Sequence, residues 1–170
     1  NNCYDTSFQN NFSYNLFMNN KTKAPSFLGL IDENKYLSLE DFAGKYLVIY
    51  FYPKDKTSGC TIESQDFRDY LKKFKLKNCA IIGVSRDSIK SHKSFIEKES
   101  LNFPLISDPN EEMCNAYAVM KEKSMYGRKY MGIERSTFLI DPEGSIIREW
   151  RGVKVPGHVE EVYQALCTTD

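Results

Sequence analysis

No apolar run in the 170 residues is longer than Tyr46 to Tyr52, far short of the roughly 18 residues that a transmembrane helix needs. That stretch reads as a buried strand, and no association with a membrane is expected. Nor is there an excess of charge of either sign. The 23 Lys+Arg balance the 23 Asp+Glu, so no long-range basic field exists to hold nucleic acid or an anionic surface. Cysteine and histidine are sparse and scattered: Cys3, Cys60, Cys79, Cys114 and Cys167 contain no Cys-x-x-Cys pair, and the only histidines are His92 and His158. This disfavours both a zinc site and a secreted disulfide framework. No metal and no cofactor are expected. Separate thiols point instead to an intracellular reducing compartment, where any special cysteine must be marked out by its surroundings.

What is present is an ordinary core-forming composition. With 41% hydrophobic, 14% aromatic and 27% charged residues, the chain suits one domain able to bury about 70% of its unfolded surface. Residues 1–22 stand apart. Seven of the first twenty are Asn, and the aromatics Tyr4, Phe8, Phe12, Tyr14 and Phe17 follow no helical stripe, which reads as a tail. The N-terminus is polar rather than basic and then apolar, so it does not read as a signal peptide. The folded domain is expected over 23–170, as a monomer or weak dimer.

Along that domain the periodicities alternate. Tyr46 to Tyr52 is β-branched and aromatic and stops at Pro53, which cannot donate to a sheet ladder. After the loop Lys54 to Gly59, Phe67, Tyr70, Leu71 and Phe74 mark one face of a helix starting near Cys60. Cys79 to Ser85 reads as a second buried strand. Asp87 or Ser88 then caps a helix carrying Ile89, Phe95 and Ile96. A short apolar stretch at Phe103 to Ile106, a helix with Met113, Tyr117 and Val119, and a Lys/Tyr/Gly loop over 120–134 come next. Ser136 to Ile140 and Ser145 to Arg151 read as a β-hairpin around Asp141 to Gly144, and Pro156 opens a last helix. The order predicts an α/β protein, a thioredoxin-like three-layer α/β sandwich with a mixed central sheet.

Cys60 is the candidate nucleophile. It follows a strand, a loop and a glycine and begins an amphipathic helix, where free N–H groups and the helix dipole favour a thiolate over a thiol. A cysteine that merely packs at a helix start fits that context equally well. The surrounding motif carries more. Tyr50 to Thr61 (YFYPKDKTSGCT) contains Pro-x-x-x-Thr-x-x-Cys, continued by Ile62-Glu63 and Phe67-Arg68-Asp69, and resembles the active-site pattern of the peroxiredoxins, in the variant of the PrxQ or bacterioferritin-comigratory-protein subfamily. Tyr130 to Asp141 and Val155 to Val159 are similar to the same subfamily, and the resemblance spans about Lys23 to Leu166.

The resemblance implies a thiol-dependent peroxidase that reduces hydrogen peroxide and organic hydroperoxides. Cys60 would attack a peroxide oxygen and become a sulfenic acid, Thr57 would hydrogen-bond peroxide and thiolate, and Arg135 would stabilise the thiolate and the leaving oxygen. Pro53 would wall the pocket and Glu63 would orient the arginine. Two departures matter. The resolving cysteine that many members carry five residues after the first is here Gln65, and Ser88 to Leu101, where a second arrangement would place it, contains no cysteine. A one-cysteine mechanism is therefore expected, with an external thiol of thioredoxin or glutathione type as reductant, and Cys3, Cys79, Cys114 and Cys167 as the remaining internal alternatives. Ser58 also replaces the subfamily's usual proline.

A cysteine phosphatase fails on spacing, because Arg68 lies eight positions from Cys60 rather than five. The alternative from a different class is a non-catalytic redox adaptor or chaperone module with the same fold and no reactive Cys60. His92 and His158 are expected on helix surfaces, without a role. The lysines of 72–77 alternate with core positions and read as a solvated face.

Overall fold

A computed structural model describes residues 21–169. Its strands in chain order are β1 (Thr22–Lys23), β2 (Leu28–Asp32), β3 (Lys35–Ser38), β4 (Tyr46–Phe51), β5 (Cys79–Ser85), β6 (Leu105–Ser107), β7 (Met120–Met125), β8 (Arg128–Ile133), β9 (Ser136–Ile140) and β10 (Ser145–Arg151). The helices are α1 (Ser58–Leu76), α2 (Ile89–Glu99), α3 (Glu112–Ala116) and α4 (His158–Cys167). Eight strands form one mixed sheet in the order β1-β10-β9-β4-β5-β6-β2-β3. The tail expected at the N-terminus lies, up to Asn20 and with Cys3, outside the described residues; the sheet itself reaches back to Thr22, which pairs with Ile146.

β4 is the spine. It pairs in parallel with β5 on one side and antiparallel with β9 on the other, with Val48 opposite Ile81 and Leu139. A strand flanked on both edges and covered on both faces must be apolar throughout, which is why YLVIYF is a continuous run rather than an alternation. Its side chains divide by parity. Val48, Tyr50 and Tyr52 enter a cluster with Phe67, Leu71 and Phe74 of α1, Phe95 of α2 and Val159 and Val162 of α4. Leu47, Ile49 and Phe51 enter a second cluster with Ala24, Phe27, Met113, Cys114, Tyr117 and Val119. The crossovers β4-α1-β5 and β5-α2-β6 advance in one direction across the sheet, so both helices cover the same face. Phe67 and Phe74 are fully buried there, and truncating either to Ala would cost about 3–5 kcal/mol. The result is the expected three-layer α/β sandwich with a mixed central sheet.

Three local expectations are corrected. Residues 120–134 are not a loop but the two-stranded hairpin β7–β8, paired from Met120↔Ile133 to Met125↔Arg128. Tyr126 and Gly127 both have positive φ, 52° and 78°, the backbone a two-residue hairpin turn demands. The helix expected through Val119 ends at Ala116, and Ala118 at φ 53° turns the chain away. The last helix begins at His158 rather than at Pro156, behind Gly157 in the left-handed region.

Candidate active site

The end of β4 and the start of α1 define the site. Pro53 stops the ladder, and the loop 54–56 brings the chain to Thr57, whose extended backbone (φ −74°, ψ 155°) makes it the N-cap of α1. The Thr57 hydroxyl donates to the Lys54 carbonyl at 2.9 Å, closing the loop on itself. Cys60 occupies the third position of the helix, where the backbone N–H has no partner within the helix and the dipole is positive. Only 1% of Cys60 is exposed.

Arg135 reaches this cysteine from the junction of β8 and β9. Ser136 lies opposite Phe51 in the sheet, so the residue before it stands beside the end of β4. Arg135 Nη2 donates to Cys60 Sγ at 3.3 Å and Nη1 donates to Glu63 Oε1 at 2.7 Å. Gly59 is what lets it approach, because a Cβ there would lie 3.2 Å from Nη2. Glu63, one turn after Cys60, is fully buried, and Oε2 has no partner among the described residues. Burial outweighs the neighbouring guanidinium and lifts the Glu63 carboxyl to about 7. Burial works against the Arg135 charge, but Glu63 and Cys60 together hold the guanidinium's pKa above its usual value.

Of the five residues picked out, Cys60, Glu63 and Arg135 form one hydrogen-bonded group. Pro53 and Thr57 stand on the loop feeding α1, with no hydrogen bond to Cys60 among the described residues. Lys123, on β7, escaped the sequence reading. It is half-buried, and its ammonium is held below the usual lysine range by burial and then by the charges of Arg135 and Arg86. Only the pairing of 120–134 as a hairpin brings it near, and nothing in its neighbours marks it.

The expectation that both histidines lie on the surface is wrong. His158 is buried at the start of α4, edge-on to Phe67 and Trp150, with Nε2 2.7 Å from Thr137 Oγ1. Burial pulls its pKa down to about 4, so it is neutral at pH 7. His92 is buried with Nδ1 2.7 Å from Asp55 Oδ2 and Nε2 3.1 Å from the Ile106 carbonyl. Asp55, Asp87 and His92 are near enough together to suggest a cation site. Their ligand atoms are already engaged: Asp55 accepts from Tyr52, Ser91 and His92, and Asp87 Oδ2 accepts from Ser85 and the Asp55 N–H.

The other described cysteines are remote from Cys60 or inert. Cys79 pairs with Tyr46, at the far end of β4 from the site and about 16 Å away at about 3.3 Å per residue. Burial pushes its thiol up to about 12. Cys114 lies in the cluster on the opposite face of the sheet, and burial together with Asp108 raises its pKa too. Cys167 ends α4 one turn after Tyr163, which packs on Phe74, about 21 Å along α1 from Cys60 at about 1.5 Å per residue. A disulfide needs Cα atoms within about 7 Å.

Residues 21–149 match the AhpC/TSA family. The chain is 54% identical over 129 residues to peroxiredoxin Bcp of Xanthomonas campestris pv. campestris, covering 76% of this chain and 81% of that one. It is 50% identical over 144 residues to peroxiredoxin Bcp of Bacillus subtilis, covering 85% and 92%. Its fold superposes with a TM-score of 0.84 on the Xanthomonas campestris bacterioferritin comigratory protein, a structure concerned with alkyl peroxide reduction, at 45% identity and covering 88% of this chain and 96% of that one. With similarity of this extent across nearly the whole described domain, the chain belongs to the AhpC/TSA family and, within it, to the peroxiredoxins.

Proposed function

We propose that this protein is a thiol-dependent peroxidase in which Cys60 reduces hydrogen peroxide and organic hydroperoxides. The observation that carries the proposal is the Arg135 guanidinium shared between Cys60 and Glu63, at 3.3 and 2.7 Å. A fixed cation at the nucleophile stabilises an anionic sulfur, and it stabilises the charge that passes to the leaving oxygen still more as the O–O bond stretches. The Cys60 thiolate attacks one peroxide oxygen, the S–O bond forms as the O–O bond breaks, and the leaving alkoxide or hydroxide takes a proton from solvent. Sulfur is oxidised to the sulfenic acid and the peroxide is reduced to an alcohol or water. Thr57 binds the incoming peroxide through its hydroxyl, and Pro53 shields the pocket from water. Glu63 is a positioning residue that acts through Arg135.

The sulfenic acid is resolved by an external thiol. The remoteness of Cys79, Cys114 and Cys167 and the place of Gln65, which donates to Glu99 at 2.7 Å rather than offering a thiol, support this. The first external thiol displaces water to form a mixed disulfide with Cys60, and a second releases the Cys60 thiol and leaves as a disulfide. We assign the reductant to the thioredoxin or glutathione type and the setting to an intracellular reducing compartment. No helix among the described residues is long and apolar enough to cross a membrane.

The test is consumption of hydrogen peroxide with a thiol reductant, compared between wild type and Cys60→Ser. Loss of all turnover in a folded variant is the expected result. Retained turnover, or an inactive wild type, would favour a non-catalytic redox adaptor.

A further inference from the structure

The Pro53–Thr57 segment is anchored far more heavily than a surface loop of that length requires. Asp55, 5% exposed in an otherwise exposed stretch, turns inward. Its Oδ1 accepts from the Tyr52 hydroxyl at 2.6 Å, and its Oδ2 accepts from Ser91 Oγ at 2.8 Å and from His92 Nδ1 at 2.7 Å. Its own N–H donates to Asp87 Oδ2 at 2.9 Å, and Lys56 Nζ donates to Ser94 Oγ at 2.7 Å. Apart from Tyr52, all these partners lie on α2 or on the residues just before it.

His92 fixes the other end. Its Nε2 meets the Ile106 carbonyl, which only accepts, and its Nδ1 meets a carboxylate oxygen. Both ring nitrogens are thus engaged, and His92 and Asp55 form a buried hydrogen-bonded pair, with Tyr52 and Ser91 on the remaining carboxylate positions. Burial by itself would raise the Asp55 carboxyl, but the His92 hydrogen bond and charge, with the Tyr52 and Ser91 hydroxyls, hold it below the usual range.

Between the clamped Asp55 and the N-cap Thr57 stands Lys56, with φ 65°. The left-handed region is disfavoured for a lysine and persists only where its surroundings over-determine it. We propose that the Asp55–His92 pair is a clamp that holds Lys56 in this conformation, and thereby positions Thr57 and the first turn of α1 for oxidation of Cys60. His92 and Asp55 are then positioning residues, acting through the backbone of the loop rather than on the peroxide. This rests on the peroxidase reading of Cys60.

A glycine accepts the left-handed conformation without cost and separates this role from simple support of the core. The measurement is the second-order rate constant for Cys60 oxidation by hydrogen peroxide, by stopped flow on the full chain, for wild type, Lys56→Gly, His92→Gln and the double variant. His92→Gln should slow oxidation by about 10- to 100-fold, the scale of a displaced catalytic group. Lys56→Gly should stay within threefold of wild type, and the double variant should recover at least tenfold of the loss where the loss is greatest. If His92→Gln does not fold, Asp55→Asn, nearly identical in shape, takes its place in the same comparison. A folded His92→Gln variant, or Asp55→Asn in its place, that oxidises within threefold of wild type overturns the clamp. So does a double variant as slow as the single, because the loss would then come from the core and not from the loop. A wild-type Cys60 that does not react at all sinks the peroxidase reading, and the clamp with it.

Discussion

Replacing Arg135 by Met separates the catalytic from the structural value of the ion pair at the site. The rate of Cys60 oxidation should fall by about 10²–10³-fold, the usual consequence of removing one donor that strengthens in the transition state. Stability should behave less predictably by ordinary rules. Breaking a buried ion pair from one side costs about 3–5 kcal/mol when the abandoned charge cannot escape. Glu63 can escape, because its carboxyl already titrates near 7 and at pH 7 taking up a proton costs only about 0.4 kcal/mol.

The sign follows from which state holds the proton. Between the ordinary 4.5 and about 7 the folded wild type keeps a proton that the unfolded chain has lost, so stability falls as pH rises through that window and levels off above it. Without Arg135 the carboxyl rises further, and the variant goes on losing about 1.4 kcal/mol per pH unit where the wild type has levelled. Urea unfolding at pH 6, 7 and 8 should therefore show a small destabilisation at pH 6, about 1 kcal/mol or less, that grows on the alkaline side. A full 3–5 kcal/mol loss already at pH 6 would mean that Glu63 is an obligate anion and that the buried pair is mainly structural. An oxidation rate within threefold of wild type would mean the guanidinium does not serve the sulfur.

Thr57→Val should slow Cys60 oxidation by about 10²-fold with little change in urea midpoint, since the lost hydroxyl is exposed and its present bond to Lys54 is local; stopped flow checks it, and an unchanged rate would remove Thr57 from the site. After one equivalent of peroxide, dimedone should label Cys60, and the quadruple substitution of Cys3, Cys79, Cys114 and Cys167 should keep turning over with glutathione or a dithiol of thioredoxin type. Intact mass reads both, and an internal disulfide formed faster than trapping would direct attention to Cys3. His158, pulled down to about 4 from 6.5, withholds a proton that the unfolded chain binds, so stability present above pH 6.5 is lost as pH falls toward 4. His158→Phe should flatten that acid limb, and an unchanged slope between pH 4 and 6.5 would place the ring's burial in doubt.

Much of this was legible because the strongest sequence signals and the strongest forces coincide. A seven-residue apolar run is unstable anywhere but in a central strand, and the stripe Phe67, Tyr70, Leu71, Phe74 has one face to bury; both survive as β4 and α1. Cys60 and Arg135 were visible as members of a pattern, although they lie 75 residues apart and no periodicity joins them. What was missed are cases where local sequence is silent and partners decide. β7, Met120–Met125, is largely exposed on both faces, so it shows no alternation to read, and its pairing depends on the backbone at Tyr126 and Gly127. His92 and His158 look like surface residues because a polar ring on a helix usually is one.

The two histidines also show how differently two buried rings can be partnered. His158 has a hydroxyl on Nε2 and aromatic rings around it, so burial outweighs the charge of Glu161 and the ring is neutral. His92 has a carboxylate on one side and a carbonyl on the other, so both of its nitrogens are engaged. His158 packs edge-on against Phe67 of α1, and His92 holds Asp55 of the loop that leads to Thr57. The His92 ring beneath the loop gives Asp55 a hydrogen-bonded partner that a buried carboxylate needs, and so ties the loop before α1 to the helix beside it. The loop before Cys60 thus rests on a buried ring that local sequence alone would place on a helix surface.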